Sequence, residues 1–212
     1  MKRAAAFTLL ICTLYSFVAK GAGISGSSVL ISRDGYLITA EHVIAGCASL
    51  NAVSIGPVIA MGHDKLSDLA LLKSNAKITA EPLPLSMAAV RLGEEVIAVG
   101  YPLQGILAGL NVSNGIVNDL PNNSTRLEFA APAVQPGNSG GAVLDPNGRL
   151  VGIISYKRTF GSGVFAVRRE VIQTFLSAQS VKPVLADGEP KRSREEIAEL
   201  ARKSVFAIEC LN

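Results

Sequence analysis

The segment Gln135-Pro136-Gly137-Asn138-Ser139-Gly140-Gly141 runs directly into an apolar, strand-like stretch. Glycines here let the backbone turn tightly, so that the Ser139 hydroxyl stands exposed while successive N–H groups point into one space. A serine that attacks a carbonyl needs both features, a free hydroxyl and backbone donors where negative charge develops. Alone, the same pattern describes an ordinary hairpin turn, so the reading depends on finding a base. The sequence holds two histidines. His42 stands at the end of the strand-like run Leu37-Ile38-Thr39-Ala40-Glu41, whereas His63, in Gly62-His63-Asp64-Lys65, reads as a solvated residue of a polar turn. A histidine base in turn needs a carboxylate to hold its tautomer and stabilise the imidazolium. Asp68 opens the apolar stretch Asp68-Leu69-Ala70-Leu71-Leu72, where a charge is costly unless hydrogen-bonded. Taken singly, His42 and Asp68 fit structural roles equally well.

Residues so far apart in the chain meet only if the elements between them fold back on one another. From Gly23 to about Tyr101 the pattern is short β-type runs broken by turn signals: Ser28–Ser32, the Arg33-Asp34-Gly35 turn, Tyr36–Thr39, Leu50–Ile55, Val58–Met61 and Leu69–Leu72. A second set follows at Glu95–Val99, Leu107–Val117, Arg126–Ala130, Gly141–Leu144, Leu150–Ser155 and Gly163–Val167, with Asp145-Pro146-Asn147-Gly148 as a hairpin turn. This spacing predicts an all-β chain of two subdomains, barrels or sandwiches. Arg168–Ser177 changes to helical spacing, with Val171, Ile172 and Phe175 on one side. Residues 182–194 read as a linker rich in polar and proline punctuation. Beyond it Ser193 and Glu196 form a capping-box pattern for a helix from Arg194 to about Ala201, followed by the strand-like run Ser204–Cys210.

Composition narrows the possible functions. Of 212 residues 49% are hydrophobic and 17% charged, too apolar and too weakly charged for a disordered chain. The net charge of +3 comes from 20 basic and 17 acidic residues, but Lys2, Arg3 and Lys20 lie in residues 1–21, which hold no acid. The remaining chain is balanced, and with no basic aromatic platform a nucleic-acid partner is not expected. Lys2-Arg3 followed by the uncharged run Ala4–Ala19 reads as a signal peptide over 1–21 with cleavage after Gly21, or as an anchor left uncleaved. Cys12 falls inside that run, without the small residues before it that a lipid-attachment site wants. Cys47 and Cys210 remain, an even pair that in an exported chain invites a disulfide, two buried free thiols being the alternative. Two histidines and two cysteines without ligand spacing imply no metal and no cofactor.

Three blocks carry a resemblance: Gly35-Tyr36-Leu37-Ile38-Thr39-Ala40-Glu41-His42-Val43-Ile44, Ser67-Asp68-Leu69-Ala70-Leu71-Leu72-Lys73 and Pro136-Gly137-Asn138-Ser139-Gly140-Gly141. Their order and the supporting Leu92–Pro102 and Val164–Val167 segments resemble the chymotrypsin-type, trypsin-like serine proteases of the HtrA/Deg branch, over about residues 25–178. The resemblance implies two six-stranded β-barrels, at about 23–80 and 90–168, and a closing helix at 169–179, together a protease domain over 22–181. It implies Ser139 as nucleophile, His42 as general base and acid, and Asp68 as the carboxylate orienting it, with the N–H groups of Gly137 and Ser139 as oxyanion hole. Asn138 stands where digestive relatives carry the aspartate that pairs with a newly cut N-terminus, so activation of that kind is not expected. Ala133, where a trypsin-like pocket places an acid, together with Ile154 and Ser155 implies an uncharged pocket and cleavage after small or aliphatic residues. Protein or peptide substrates follow; a silent module holding peptides by β-augmentation on the same fold is the alternative.

Relatives usually begin with a short helix and a first strand and continue into PDZ domains, and this sequence shows neither. Barrel 1 then has five strand candidates, and an unpaired barrel edge is a liability. Residues 195–212 resemble the missing helix and strand, which predicts a permuted first strand that reaches barrel 1 through the linker; a tail packed elsewhere, or insertion into a second chain, remains open. A Cys47–Cys210 bridge fits the insertion and would stabilise by roughly 4–5 kcal/mol in the chain-entropy model.

Overall fold

The computed structural model describes residues 23–102, 109–121, 124–159, 161–188 and 191–211; the signal-like segment and Cys12 lie outside them. In the first half β1 (Gly23–Leu30), β2 (Tyr36–Thr39), a one-turn α1 (Glu41–Ile44), β3 (Ser49–Ala52), β4 (Gly56–Asp64) and β5 (Leu69–Ser74) follow one another. The second half holds β6 (Leu85–Ser86), β7 (Glu95–Gly100), β8 (Asn111–Asp119), β9 (Arg126–Ala130), β10 (Ala142–Leu144), β11 (Leu150–Lys157) and β12 (Gly163–Arg168). α2 (Arg169–Ala178), β13 (Leu185–Ala186), α3 (Arg194–Ser204) and β14 (Val205–Leu211) complete the chain.

Barrel 1 closes in the order β1-β14-β3-β4-β5-β2. β14, the last strand in sequence, lies between β1 and β3 and is antiparallel to both, with Ala207 opposite Ser27 and Ile208 opposite Ala52. Phe206 and Ile208 enter the barrel core beside Leu30, Leu37 and Leu72. Cys47 and Cys210 are joined, their Cα atoms 5.2 Å apart across a separation of 163 positions. The C-terminal segment thus supplies the sixth strand that the first five lack. Ser193 starts α3 with the expected capping box, its hydroxyl accepting from the Glu196 N–H and the Glu196 carboxylate accepting from the Ser193 N–H.

Barrel 2 closes in the order β10-β7-β8-β9-β12-β11, with β10 pairing back to β11. β8 alternates buried and exposed residues, as a strand with one face on a core must. β5 does not alternate: Leu72 faces the barrel 1 core, while Leu69 and Leu71 face a second cluster shared with barrel 2 and α2 through Ile153, Ile172 and Leu176. Burial on both faces explains why Leu69–Leu72 is continuously apolar. Ile197 and Ala201 of α3 seal the same cluster.

Three details depart from expectation. His63 lies on β4, paired with Ala70, rather than in a turn. Residues 182–194 are not wholly a linker, because Leu185 and Ala186 form β13, parallel to β6. The run before His42 ends at Thr39, and α1 takes over.

Candidate active site

Asp68 sits immediately before β5, with a left-handed φ of 57°. A short polar side chain that bonds locally tolerates this conformation, and here the carboxylate binds three donors. Oδ1 accepts from the His42 backbone N–H at 3.1 Å and from Nδ1 at 2.9 Å; Oδ2 lies 3.0 Å from Nδ1 and accepts from the Ser155 hydroxyl. α1 turns His42 back over the start of β5, so backbone and ring address one carboxylate. With Nδ1 committed to Asp68, the neutral ring carries its acceptor at Nε2.

The hydrogen bond that the His42 ring donates to Asp68 is the main cause that raises the His42 pKa above 6.5, against the opposing effect of burial. Burial alone would raise the Asp68 pKa, but bonds from the His42 ring, the Ser155 hydroxyl and the His42 N–H outweigh it and lower the carboxyl below 3.8. The His42 contribution to folding is therefore complete below its ordinary value and declines as pH rises through the raised one, and that of Asp68 is lost on acidification. Together the two stabilise the fold most between about pH 4 and pH 6.5.

Ser139 sits in a loop fixed by backbone bonds: Asn138 N–H to Gln135 O at 3.1 Å, Gly140 N–H to Ile154 O at 2.7 Å and Gly141 N–H to Asn138 O at 2.9 Å. Gly137 and Gly140 take φ of 96° and 81°, open to glycine at little cost. A Cβ on Gly140 would collide with Ser27 O and Thr39 Oγ1, because the loop packs backbone against backbone on barrel 1. The N–H groups of Gly137 and Ser139 donate to no protein acceptor among the described residues. The Ser139 hydroxyl donates to the Ser155 carbonyl at 2.8 Å.

The structure thus brings Asp68, His42 and Ser139 to the junction of the two barrels, with Ser155 touching both Asp68 and Ser139. The pocket expectation needs redistribution. Ser155 lies beneath the carboxylate, and Ile154 is 1% exposed in the barrel 2 core, its carbonyl holding Gly140. Ala133 is exposed, and its carbonyl accepts from the Asn111 amide at 3.3 Å. On either side of it Lys157 Nζ donates to Pro132 O at 2.9 Å and Val134 O at 2.8 Å. Asn138 is fully buried, its side-chain oxygen accepting from the Gln135 N–H at 3.2 Å and its amide nitrogen without a partner among the described residues. His63 remains exposed, 3.4 Å from Glu41. The bond from Ser155 to Asp68 was beyond sequence reasoning, since the two lie 87 positions apart. No group of three or more potential metal ligands occurs among the described residues, and none of their helices is long and apolar enough to cross a membrane.

A family model described as a trypsin-like peptidase domain matches residues 26–153, more than half of the chain. The chain is 34% identical over 211 residues to the uncharacterized protein y4bJ of Sinorhizobium fredii, covering 90% of this chain and 33% of that protein. It is 34% identical over 151 residues to the serine protease Do-like HtrA of Bacillus subtilis, covering 63% of this chain and 33% of that protein. It spans about a third of the length of these curated relatives. Among solved structures, the HtrA-type protease AlgW with decapeptide superposes with a TM-score of 0.64 at 28% identity, covering 73% of this chain and 51% of the other.

Proposed function

The chain belongs to the trypsin-like peptidase family, and from that premise we propose that it is an exported serine endopeptidase working through Ser139, His42 and Asp68. The supporting observation is the joint geometry: an imidazole anchored through Nδ1 by a carboxylate, beside a serine loop with two N–H groups that have no partner among the described residues. Ser139 Oγ attacks the scissile carbonyl and His42 Nε2 takes its proton. The oxyanion accepts from the N–H groups of Gly137 and Ser139, each worth roughly 3 kcal/mol in comparable sites. Collapse breaks the C–N bond as His42 protonates the leaving amine, leaving an acyl group on Ser139. Water, deprotonated by His42, hydrolyses that ester and restores the serine. Asp68 stabilises the imidazolium throughout. The hydroxyl must first leave the Ser155 carbonyl for the ring, and such catalytic bonds often form only with substrate in place.

Export is supported by the sequence of residues 1–21 and by the Cys47–Cys210 disulfide, which suits an oxidising compartment. The substrates are proteins or peptides. Fluorophosphonate labelling tests the reading directly: wild type should label covalently, while Ser139→Ala and His42→Ala should fall to background. A folded wild type that does not label supports the silent peptide-binding module instead.

The cleavage preference is for a small or aliphatic residue before the scissile bond. In the Pro132–Val134 segment there is no acid to hold lysine or arginine, and the Lys157 ammonium is committed to its carbonyls. A peptide library should show cleavage after alanine or valine at least about tenfold faster than after lysine or arginine. Equal rates would remove the assignment of Ala133.

A further inference from the structure

Ser27, on β1, is fully buried and makes four hydrogen bonds, three of which reach barrel 2. Its hydroxyl donates to the Gly137 carbonyl at 2.9 Å and accepts from the Tyr101 N–H at 2.8 Å. Its N–H donates to the Ser139 carbonyl at 2.8 Å, and its own carbonyl accepts from the Thr39 hydroxyl at 2.6 Å. Two peptide planes of the serine loop are consequently held at both ends. One runs from the Gly137 carbonyl, on Ser27 Oγ, to the Asn138 N–H, on Gln135 O; the other runs from the Ser139 carbonyl, on the Ser27 N–H, to the Gly140 N–H, on Ile154 O. The plane between them carries the Ser139 N–H, and its carbonyl is taken by Gly141. With the flanking planes fixed, the Ser139 N–H has one available direction, and the Gly137 N–H is restrained from one side, through the plane that begins at its own carbonyl.

We infer that Ser27 is a positioning residue for the oxyanion hole, a barrel 1 residue whose hydroxyl and backbone N–H hold the two peptide planes on either side of the Ser139 N–H. The inference rests on the serine endopeptidase reading above. Misplacing such donors by a fraction of an ångström weakens the transition state far more than the ground state. Ser28 supplies an internal control: it too is fully buried on β1, but its hydroxyl points to Phe206 O of β14 at 3.5 Å and not to the loop.

The experiment compares wild type with Ser27→Ala, Ser27→Cys and Ser28→Ala on one peptide substrate, its boronate analogue and its unreactive amide. Ser27→Ala should lower kcat and boronate affinity roughly 10- to 100-fold, with KM and amide binding within about threefold and the acid limb of the pH profile unmoved. Ser27→Cys, similar in shape and a weaker donor, should fall between, and it carries the test should the alanine variant not fold. Ser28→Ala should keep wild-type kcat. A Ser27 variant with kcat within about twofold of wild type, or one losing boronate and amide binding equally, overturns the positioning role. An inert wild type overturns the endopeptidase reading itself, and the role of Ser27 falls with it.

Discussion

Replacing Asp68 by asparagine lowers kcat roughly 10³- to 10⁴-fold with little change in KM, the loss expected when a triad histidine is left in the wrong tautomer. The carboxylate is acceptor only, and its three donors, the His42 N–H, the ring Nδ1–H and the Ser155 hydroxyl, all depend on that. An asparagine keeps one acceptor oxygen, which the His42 N–H still claims. Its NH₂ then lies where Oδ2 faced Nδ1 and Ser155, and presents donors to the ring. The ring proton moves to Nε2, and no lone pair faces the serine. The pH profile supplies a second reading from the same variant. In the wild type only neutral His42 is a base, so kcat/KM rises with pH along an acid limb whose midpoint lies above 6.5, because Asp68 raises the ring's pKa. In the variant that cause is gone and the limb moves to lower pH. A kcat within tenfold of wild type, or a limb that stays put, would sink the assignment of Asp68.

The contrast between Asp68 and Ser155 shows what a sequence can reveal about such a site. A charge before an apolar run is conspicuous because burial penalises it, so Asp68 announces a partner. Ser155 sits in a strand where serine is unremarkable, and its importance comes from packing against a residue 87 positions earlier. Ser27 is hidden for the same reason, its partner in the loop being 110 positions away. Barrel strands were legible wherever one face was buried, because period-two alternation survives in the letters, as in β8. Two-residue strands such as β6 and β13 are too short to hold any period, and the one-turn α1 is too short for helical spacing. The sixth strand of barrel 1 was legible through a deficit: five candidates cannot close the barrel without leaving an edge, and the capped helix plus apolar run at the C-terminus was the available remedy.

That remedy carries the other large prediction. Truncation before Lys191 removes α3 and β14, and with them the one strand that pairs both β1 and β3 along their facing edges and the core positions of Ile197, Val205, Phe206 and Ile208. Each large side chain contributes about 1.5–3 kcal/mol on burial, so their combined loss rivals the whole stability of a typical domain, about 5–15 kcal/mol. The truncated chain should therefore lack a cooperative thermal transition and turnover, and a synthetic peptide spanning 191–212 should restore part of both. Cys210→Ser is the milder lesion, because β14 can still pair. Losing the closure of a loop of 163 positions costs roughly 4–5 kcal/mol in the chain-entropy model, which for a chain of this length lowers Tm by roughly 10–15 °C. Below that lower Tm the variant should still turn over, since Ala207 keeps its place opposite Ser27 and β1 remains seated against the serine loop. A truncated chain with wild-type Tm and turnover would show that barrel 1 closes without its C-terminal strand. Intact turnover in Cys210→Ser beside a dead truncation would place the requirement in the β14 pairing itself and leave the disulfide as its lock.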